Sequence, residues 1–264
     1  MCTIGIAWGT HPRYPLIVAA NRDEVFGRAA TPPVVHSAHP RIVGGRDVEK
    51  SGTWFALRPD GFFCGLTNRR PETPPSPAAR SRGEVVLEVL RAAGPDAAAK
   101  YVAGLDAREY NGFNLIFGTT ERLYTASVWP WLPAPEVAAV SPGVHVLPTS
   151  RLDAPDYPKV ERLRARLAAP LPEDWPALRV HLQAALADHT QPAPEAVRAP
   201  AGGFFSVEVL CALDALCIHL PAYGTRSSSL LALAPGRVLH AEHAEGAPCT
   251  HDFVSFEALL RGDP

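Results

Sequence analysis

The chain opens with two short apolar runs, TIGIAW at 3–8 and LIVAAN at 16–21, separated by the turn-rich GTHPRYP. Runs of this length bounded by Gly and Pro read as the two strands of a hairpin, so the chain begins inside a sheet. The pattern recurs. TWFALR at 53–58 and FFCGLT at 62–67 flank Pro59, Asp60 and Gly61, a trio suited to a tight reversal. FNLIFGTT and RLYTASV within 113–128 form another hairpin around Glu121. Apolar runs at 215–219, 228–233 and 237–241, the last two around Pro235 and Gly236, give a closing hairpin group.

Helical periodicity appears between these blocks. Ser81 followed by Glu84 fits a capping box, with Val85, Val86, Val89 and Leu90 on one face behind it. A short helix follows over 95–104. Further on, Val160, Leu163 and Leu167 share a face, as do Trp175, Leu178, Leu182 and Leu186 behind the cap Asp174, so two helices pair. Hairpins in one set of blocks and helices in another argue for antiparallel sheets covered on their outer faces.

Composition narrows the function classes. With 47% apolar and 20% charged residues the chain is globular, and a net charge of −2 leaves no electrostatic footprint for nucleic acid. No apolar run reaches the ~18 residues needed to span a bilayer, and no charged start precedes an apolar stretch, so cytoplasmic residence without membrane insertion is expected. Cys2, Cys64, Cys211, Cys217 and Cys249 include no CxxC pair, which fits reduced thiols. The Pro-rich pieces at 71–77, 129–136 and 191–203 read as loops within a single domain over 1–264.

Several motifs carry no chemistry on this reading. His36 with His39, and His240, His243 and His251, lack metal spacing, so no metal is expected. Gly44, Gly45 and Asp47 precede no helix start, which excludes a phosphate loop; the glycines read as a tight turn, with Trp54 in the core or at a cleft wall. Ser227 to Ser229 lack a Gly-x-Ser-x-Gly elbow.

Cys2 is different. Removal of the initiator methionine from a small second residue would put a thiol and a free α-amine on one residue. The amine, with a pKa of about 7.7–8.0, can accept the proton of a thiol near ~8.5 and generate a thiolate. Four hydrogen-bonding side chains, Asn21, Arg22, Asp23 and Glu24, close the second apolar strand. An antiparallel neighbour brings them beside Cys2. On the strand period of two, Asn21 and Asp23 face one side and Arg22 the other, so Arg22 reads as structural.

The opening MCT, ANRDE at 20–24, GGRD at 44–47 with GTWFAL at 52–57, GLTNRR at 65–70 and GTRSSSLLAL at 224–233 together resemble the NRDE protein family, which includes the animal transport and Golgi organisation protein. More distantly the same segments resemble the cysteine N-terminal-nucleophile (Ntn) hydrolases that cleave linear amides, penicillin V acylase and bile salt hydrolase. The resemblance implies an α+β, four-layer αββα sandwich of two mainly antiparallel sheets between helical layers. It also implies Cys2 as nucleophile, Asp23 orienting its amine, Asn68 and Asn114 as oxyanion or substrate contacts and Arg226 as a nearby charge. Asn21, Arg22, Trp54 and Arg69 are then substrate or ligand contacts. One departure stands out: those acylases carry an arginine directly before Asn-x-Asp, where this chain has Ala20. Two functions follow as expectations. The first is an amidohydrolase acting on a small linear amide without a cofactor. The second is a carrier of haem or another hydrophobic ligand in the same cleft, with a histidine or Cys2 as axial ligand.

Overall fold

The computed structural model describes residues 2–69, 75–197 and 205–262. Parts of the Pro-rich stretches at 71–77 and 191–203 lie outside the described residues. The first hairpin is β1 (Thr3–Trp8) and β2 (Leu16–Val25), the latter four residues longer than its apolar run. Next come β3 (Ala30–Ala38), β4 (Arg41–Asp47), β5 (Phe55–Leu57) and β6 (Phe63–Asn68). Helices α1 (Arg82–Arg91) and α2 (Pro95–Ala103) follow, then β7 (Phe113–Gly118), β8 (Leu123–Val128), β9 (Glu136–Val140) and β10 (Gly143–Leu147). Helices α3 (Pro158–Ala168), α4 (Trp175–Leu186) and α5 (Val207–Leu213) lead to β11 (Tyr223–Ala234) and β12 (Arg237–Ala244). A short β13 (Val254–Ser255) and α6 (Glu257–Arg261) come last.

Two antiparallel sheets result, in the orders β10-β1-β2-β11-β12-β13 and β3-β4-β5-β6-β7-β8-β9. Alternation along each strand builds the layers. Ile4, Ile6, Leu16 and Val18 meet Val43, Phe55, Leu57 and Phe63 between the sheets. The opposite faces bury Ile17, Ala19 and Leu230 against Val160, Leu163 and Leu182 of α3 and α4, and Cys64, Leu115 and Phe117 against Val86, Leu90 and Val102 of α1 and α2. The outcome is the expected αββα stack. Fully burying each of these Leu, Ile or Phe side chains contributes about 1.5–3 kcal/mol, which is why the four layers hold without a cross-link.

Some expectations are corrected. Residues 215–219 are not a strand: only His219 makes an isolated bridge, to Gly224, because this strip delivers peptide groups to side chains of the first sheet. Gly44 and Gly45 are not a turn but lie in β4, where close packing excludes a side chain. Ser81 occupies the N-cap of α1, yet its hydroxyl makes no capping bond, whereas Asp174 caps α4 through Ala177 N–H at 2.9 Å.

Candidate functional site

The site grows from the end of β2. Leu16, Val18 and Ala20 face the space between the sheets, and Arg22 continues that row, while Asn21 and Asp23 turn toward the helices. Arg22 therefore comes to the same cleft as Cys2, a correction to its reading as a structural residue facing away. It is 4% exposed, and burial lowers its pKa while Cys2, Glu24 and Asp47 act to raise it. Its guanidinium sits 4.1 Å from the centroid of the Trp54 ring and 3.8 Å from Asp47 Oδ2. Stacking on an aromatic face and one shared carboxylate offset the cost of burying the charge. Arg28 Nε donates to the same Asp47 oxygen at 2.5 Å.

Glycines make room for this arrangement. A Cβ on Gly45 would stand 2.4 Å from Trp54 Cη2, so only glycine admits the indole. Gly52 and Gly83 serve each other: a Cβ on Gly52 would lie 2.6 Å from the Gly83 carbonyl carbon. Their contact presses the first turn of α1 against the loop before β5, and Thr53 N–H reaches Gly83 O at 3.3 Å.

Cys2 is 6% exposed at the base of a cleft of about 310 Å³, whose walls include Arg22, Trp54, Leu66, Asn68 and the Ser81–Gly83 end of α1. Burial pushes the thiol upward from its ordinary value, and the Asp23 charge adds to this. The Arg22 charge and a hydrogen bond from the Asp23 backbone work in the opposite direction. The cleft is also lined by Arg28, Lys50, Arg80 and Arg82 and by the acidic Glu24 and Asp47, with Arg28 paired to Asp47 and Arg80 to Glu109.

Behind β2 the polar groups are closely matched. Thr225 Oγ1 donates to Asp23 Oδ1 at 2.7 Å, and the Tyr223 hydroxyl donates to the Asp23 carbonyl at 2.8 Å. Burial raises the Asp23 pKa, while the charge of Lys159 and the Thr225 hydroxyl lower it. Lys159 is fully buried, with Nζ donating to Leu213 O at 2.8 Å. Asn21 Nδ2 donates to the carbonyls of Leu186 and Leu216, both at 2.9 Å, and its Oδ1 accepts from Ser228 at 2.6 Å. Its side chain thus ties β2 to the helices and not to the cleft.

The fold brings Cys2, Arg22, Trp54 and Asn68 to one cleft, with Asp23 bonded from behind it. It does not bring the others there. Asn114 is fully buried, its Oδ1 accepting from Ser127 at 3.1 Å and Trp129 at 3.3 Å and its Nδ2 donating to Thr67 at 3.2 Å. Arg69 stacks 4.0 Å from the Trp129 ring and 4.5 Å from the Trp131 ring, beyond the cleft wall. Arg226 sits at a register shift between Thr225 and Ser227, which turns it away from Cys2; its guanidinium donates to Phe26 O. Sequence reasoning missed Lys159 and Thr225 behind Asp23, and Arg28 and Arg82 at the opening. Only the Asp of GGRD carried a signal, since its carboxylate is the anion that Arg22 and Arg28 share.

The family described as Transport and Golgi organisation 2 matches residues 1–244. The Transport and Golgi organization protein 2 homolog of Bos taurus is 28% identical over 265 residues, covering 92% of this chain and 93% of that protein. The Homo sapiens homolog is 27% identical with the same coverage. Among solved structures, a C2A mutant of the conjugated bile acid hydrolase from Clostridium perfringens has a TM-score of 0.52 at 11% identity, covering 98% of this chain and 94% of its own. The Caenorhabditis elegans ortholog of N-acylethanolamine-hydrolyzing acid amidase has a TM-score of 0.50 at 13% identity, covering 89% and 93%. At these identities the likeness is one of fold, and the fold is that of the Ntn hydrolases.

Proposed function

The chain belongs to the Transport and Golgi organisation 2 family, and from that membership and the cleft geometry we propose that it is a cysteine amidohydrolase of the Ntn type, cleaving a small linear amide that bears an anionic group. The observation that carries this reading is Cys2 lining the cleft, with the Arg22 charge acting on its thiol and the Asp23 backbone bonded to it. Burial alone keeps the thiol protonated, so a base must take its proton. Excision of Met1 supplies that base as the Cys2 α-amine, which the Asp23 carboxylate orients.

The thiol proton passes to the amine, and the thiolate attacks the amide carbonyl to form a C–S bond and an oxyanion. The Asn68 amide and backbone N–H groups at the cleft wall receive that oxyanion. The α-ammonium then returns its proton to the departing nitrogen as the C–N bond breaks, leaving an acyl thioester on Cys2. Water, deprotonated by the same amine, releases the carboxylic acid and restores the thiol. Of the cations lining the cleft, Arg28 and Arg80 are paired with Asp47 and Glu109, and Lys50 and Arg82 favour a substrate with a carboxylate, sulfonate or phosphate beyond the scissile bond. That the two structural neighbours are by name a hydrolase and an amidase of acyl amides supports the reaction class.

The test is intact-mass spectrometry of untagged protein before and after a thiol-directed amide or lactam probe, with Cys2→Ala as control. Loss of Met1 with one adduct confined to Cys2 is expected. Retained Met1, or labelling of Cys2 no faster than of Cys249, would sink the proposal.

A further inference from the structure

On the far side of the first sheet, four side chains from three separate segments converge. His189 follows α4, Cys217 and His219 lie in the strip before β11, and Cys249 follows β12. The ligand atoms of all four lie within 4.8 Å of one another. Cys217 Sγ is 3.7 Å from Cys249 Sγ and 3.5 Å from His219 Nε2, and His219 Nε2 is 3.3 Å from Cys249 Sγ.

These three separations match one face of a coordination tetrahedron, above which His189 stands within 4.8 Å. Bonds of about 2.3 Å from zinc to sulfur and about 2.0 Å to nitrogen, set at the tetrahedral angle, separate two sulfurs by about 3.8 Å and a sulfur from a nitrogen by about 3.5 Å. His189 adds a feature typical of a metal-ligating histidine: its Nδ1 bonds Cys217 O at 3.2 Å, which fixes the ring and leaves Nε2 for coordination. From this geometry we propose that His189, Cys217, His219 and Cys249 form a structural Cys2His2 zinc site. Binding Zn2+ releases the two thiol protons to solvent, and the two thiolates balance the charge of the ion. With four protein ligands no position is left for substrate, so the ion's role is to hold structure.

What it holds is the strip between α5 and β11. Cys217 and His219 flank Ile218, whose N–H donates to Thr225 Oγ1 at 2.9 Å and whose carbonyl accepts from Thr225 N–H at 2.9 Å. Besides these bonds the strip forms one isolated bridge among the described residues, His219 to Gly224, so an ion joining it to the loops after α4 and β12 adds a hold from outside the sheet. The inference stands apart from the reaction at Cys2; failure of either leaves the other intact.

Elemental analysis of the purified protein should find one zinc per chain. After chelation, titration with Co2+ should give the intense visible bands of a tetrahedral ion together with a thiolate-to-cobalt charge-transfer band, saturating at one equivalent. Cys249→Ser should weaken the charge-transfer band and lower the affinity at least ten-fold, and Cys211→Ser, a buried cysteine outside the cluster, should leave both unchanged. The wild-type cobalt spectrum decides the matter even if a variant folds poorly. Weak, octahedral-type absorption from the chelated and reduced wild-type protein would overturn the proposal, as would a Cys217–Cys249 disulfide in freshly purified, metal-free protein.

Discussion

The Thr225 hydroxyl donates to Asp23 Oδ1 at 2.7 Å across 202 residues of sequence, and Thr225 Oγ1 accepts from Ile218 N–H at 2.9 Å. One hydroxyl thus serves a buried carboxylate and a buried amide together. Thr225→Val keeps the shape and removes both bonds. Loss of a hydrogen bond to a buried charged group costs about 1.5–3 kcal/mol. Urea unfolding should show a loss of that size in Thr225→Val and recovery of most of it in Thr225→Ser. Equal midpoints for wild type and Thr225→Val would refute the assignment.

Asp23 itself sets a pH dependence. Burial raises its folded-state pKa above the unfolded value, against the pull of Lys159 and Thr225. The folded protein therefore keeps a proton that the unfolded chain releases, and this contribution to stability is present at low pH and lost as pH rises through the folded pKa. Asp23→Asn should flatten the stability curve over that range and be at least as stable as wild type at neutral pH, while abolishing Cys2-specific labelling. An unchanged slope would assign the titration to another group.

His243 has the opposite sign. Burial pulls its pKa down to about 4 from an ordinary value of 6.5, and its Nδ1 lies 3.1 Å from Ser229 Oγ. Stability from the neutral ring is present above the unfolded value and lost as pH falls from 6.5 toward about 4. The full loss is on the order of 3 kcal/mol. Denaturation midpoints of wild type and His243→Asn should diverge over this interval and run parallel above it.

Arg22 is expected to tune the thiol. Its charge lowers the Cys2 pKa, so Arg22→Gln should move the pH profile of Cys2 alkylation upward, with about ten-fold slower labelling at neutral pH per unit moved. Asp47 retains Arg28 at 2.5 Å, so the fold should survive the change. A profile that stays in place would reduce Arg22 to a packing role.

Gly45→Ala would drive a methyl against the Trp54 indole at 2.4 Å. Overpacking of this kind costs about 1–3 kcal/mol. Combining it with Trp54→Phe should recover part of that loss in thermal denaturation, and strict additivity of the two changes would show that they do not meet.

Period-two runs and helical faces carried most of the fold. The strands around GTHPRYP, Pro59–Gly61 and Glu121 and helices α1, α3 and α4 were legible because each buries one regular face. β3 was not, since ATPPVVHSA carries Pro32 and Pro33; an edge strand tolerates them, and β3 is the edge of its sheet. Residues 215–219 misled through their apolarity: the Leu216 carbonyl goes to Asn21 and the Ile218 amide to Thr225, side chains that no local pattern reveals. At the candidate site, strand order alone brought Cys2 beside Arg22 and Asp23. Lys159 was hidden for a different reason. A lysine on an amphipathic helix reads as solvent-facing, and its burial beside Asp23, with Nζ bonded to the carbonyl at the end of α5, is a tertiary matter.

The pairing of β2 with β11 joins Asn21 to Ser228 and Asp23 to Thr225, partners from opposite ends of the chain. Closing a loop of that span is entropically slow. During synthesis β2 emerges beside β1 but must wait until nearly the whole polypeptide has left the ribosome before β11, its second partner, exists. Throughout that interval Cys2 is open to a processing peptidase, and afterwards it lies beneath the finished cleft with 6% of its surface exposed. On the proposed mechanism, removal of Met1 is then a task for the nascent chain.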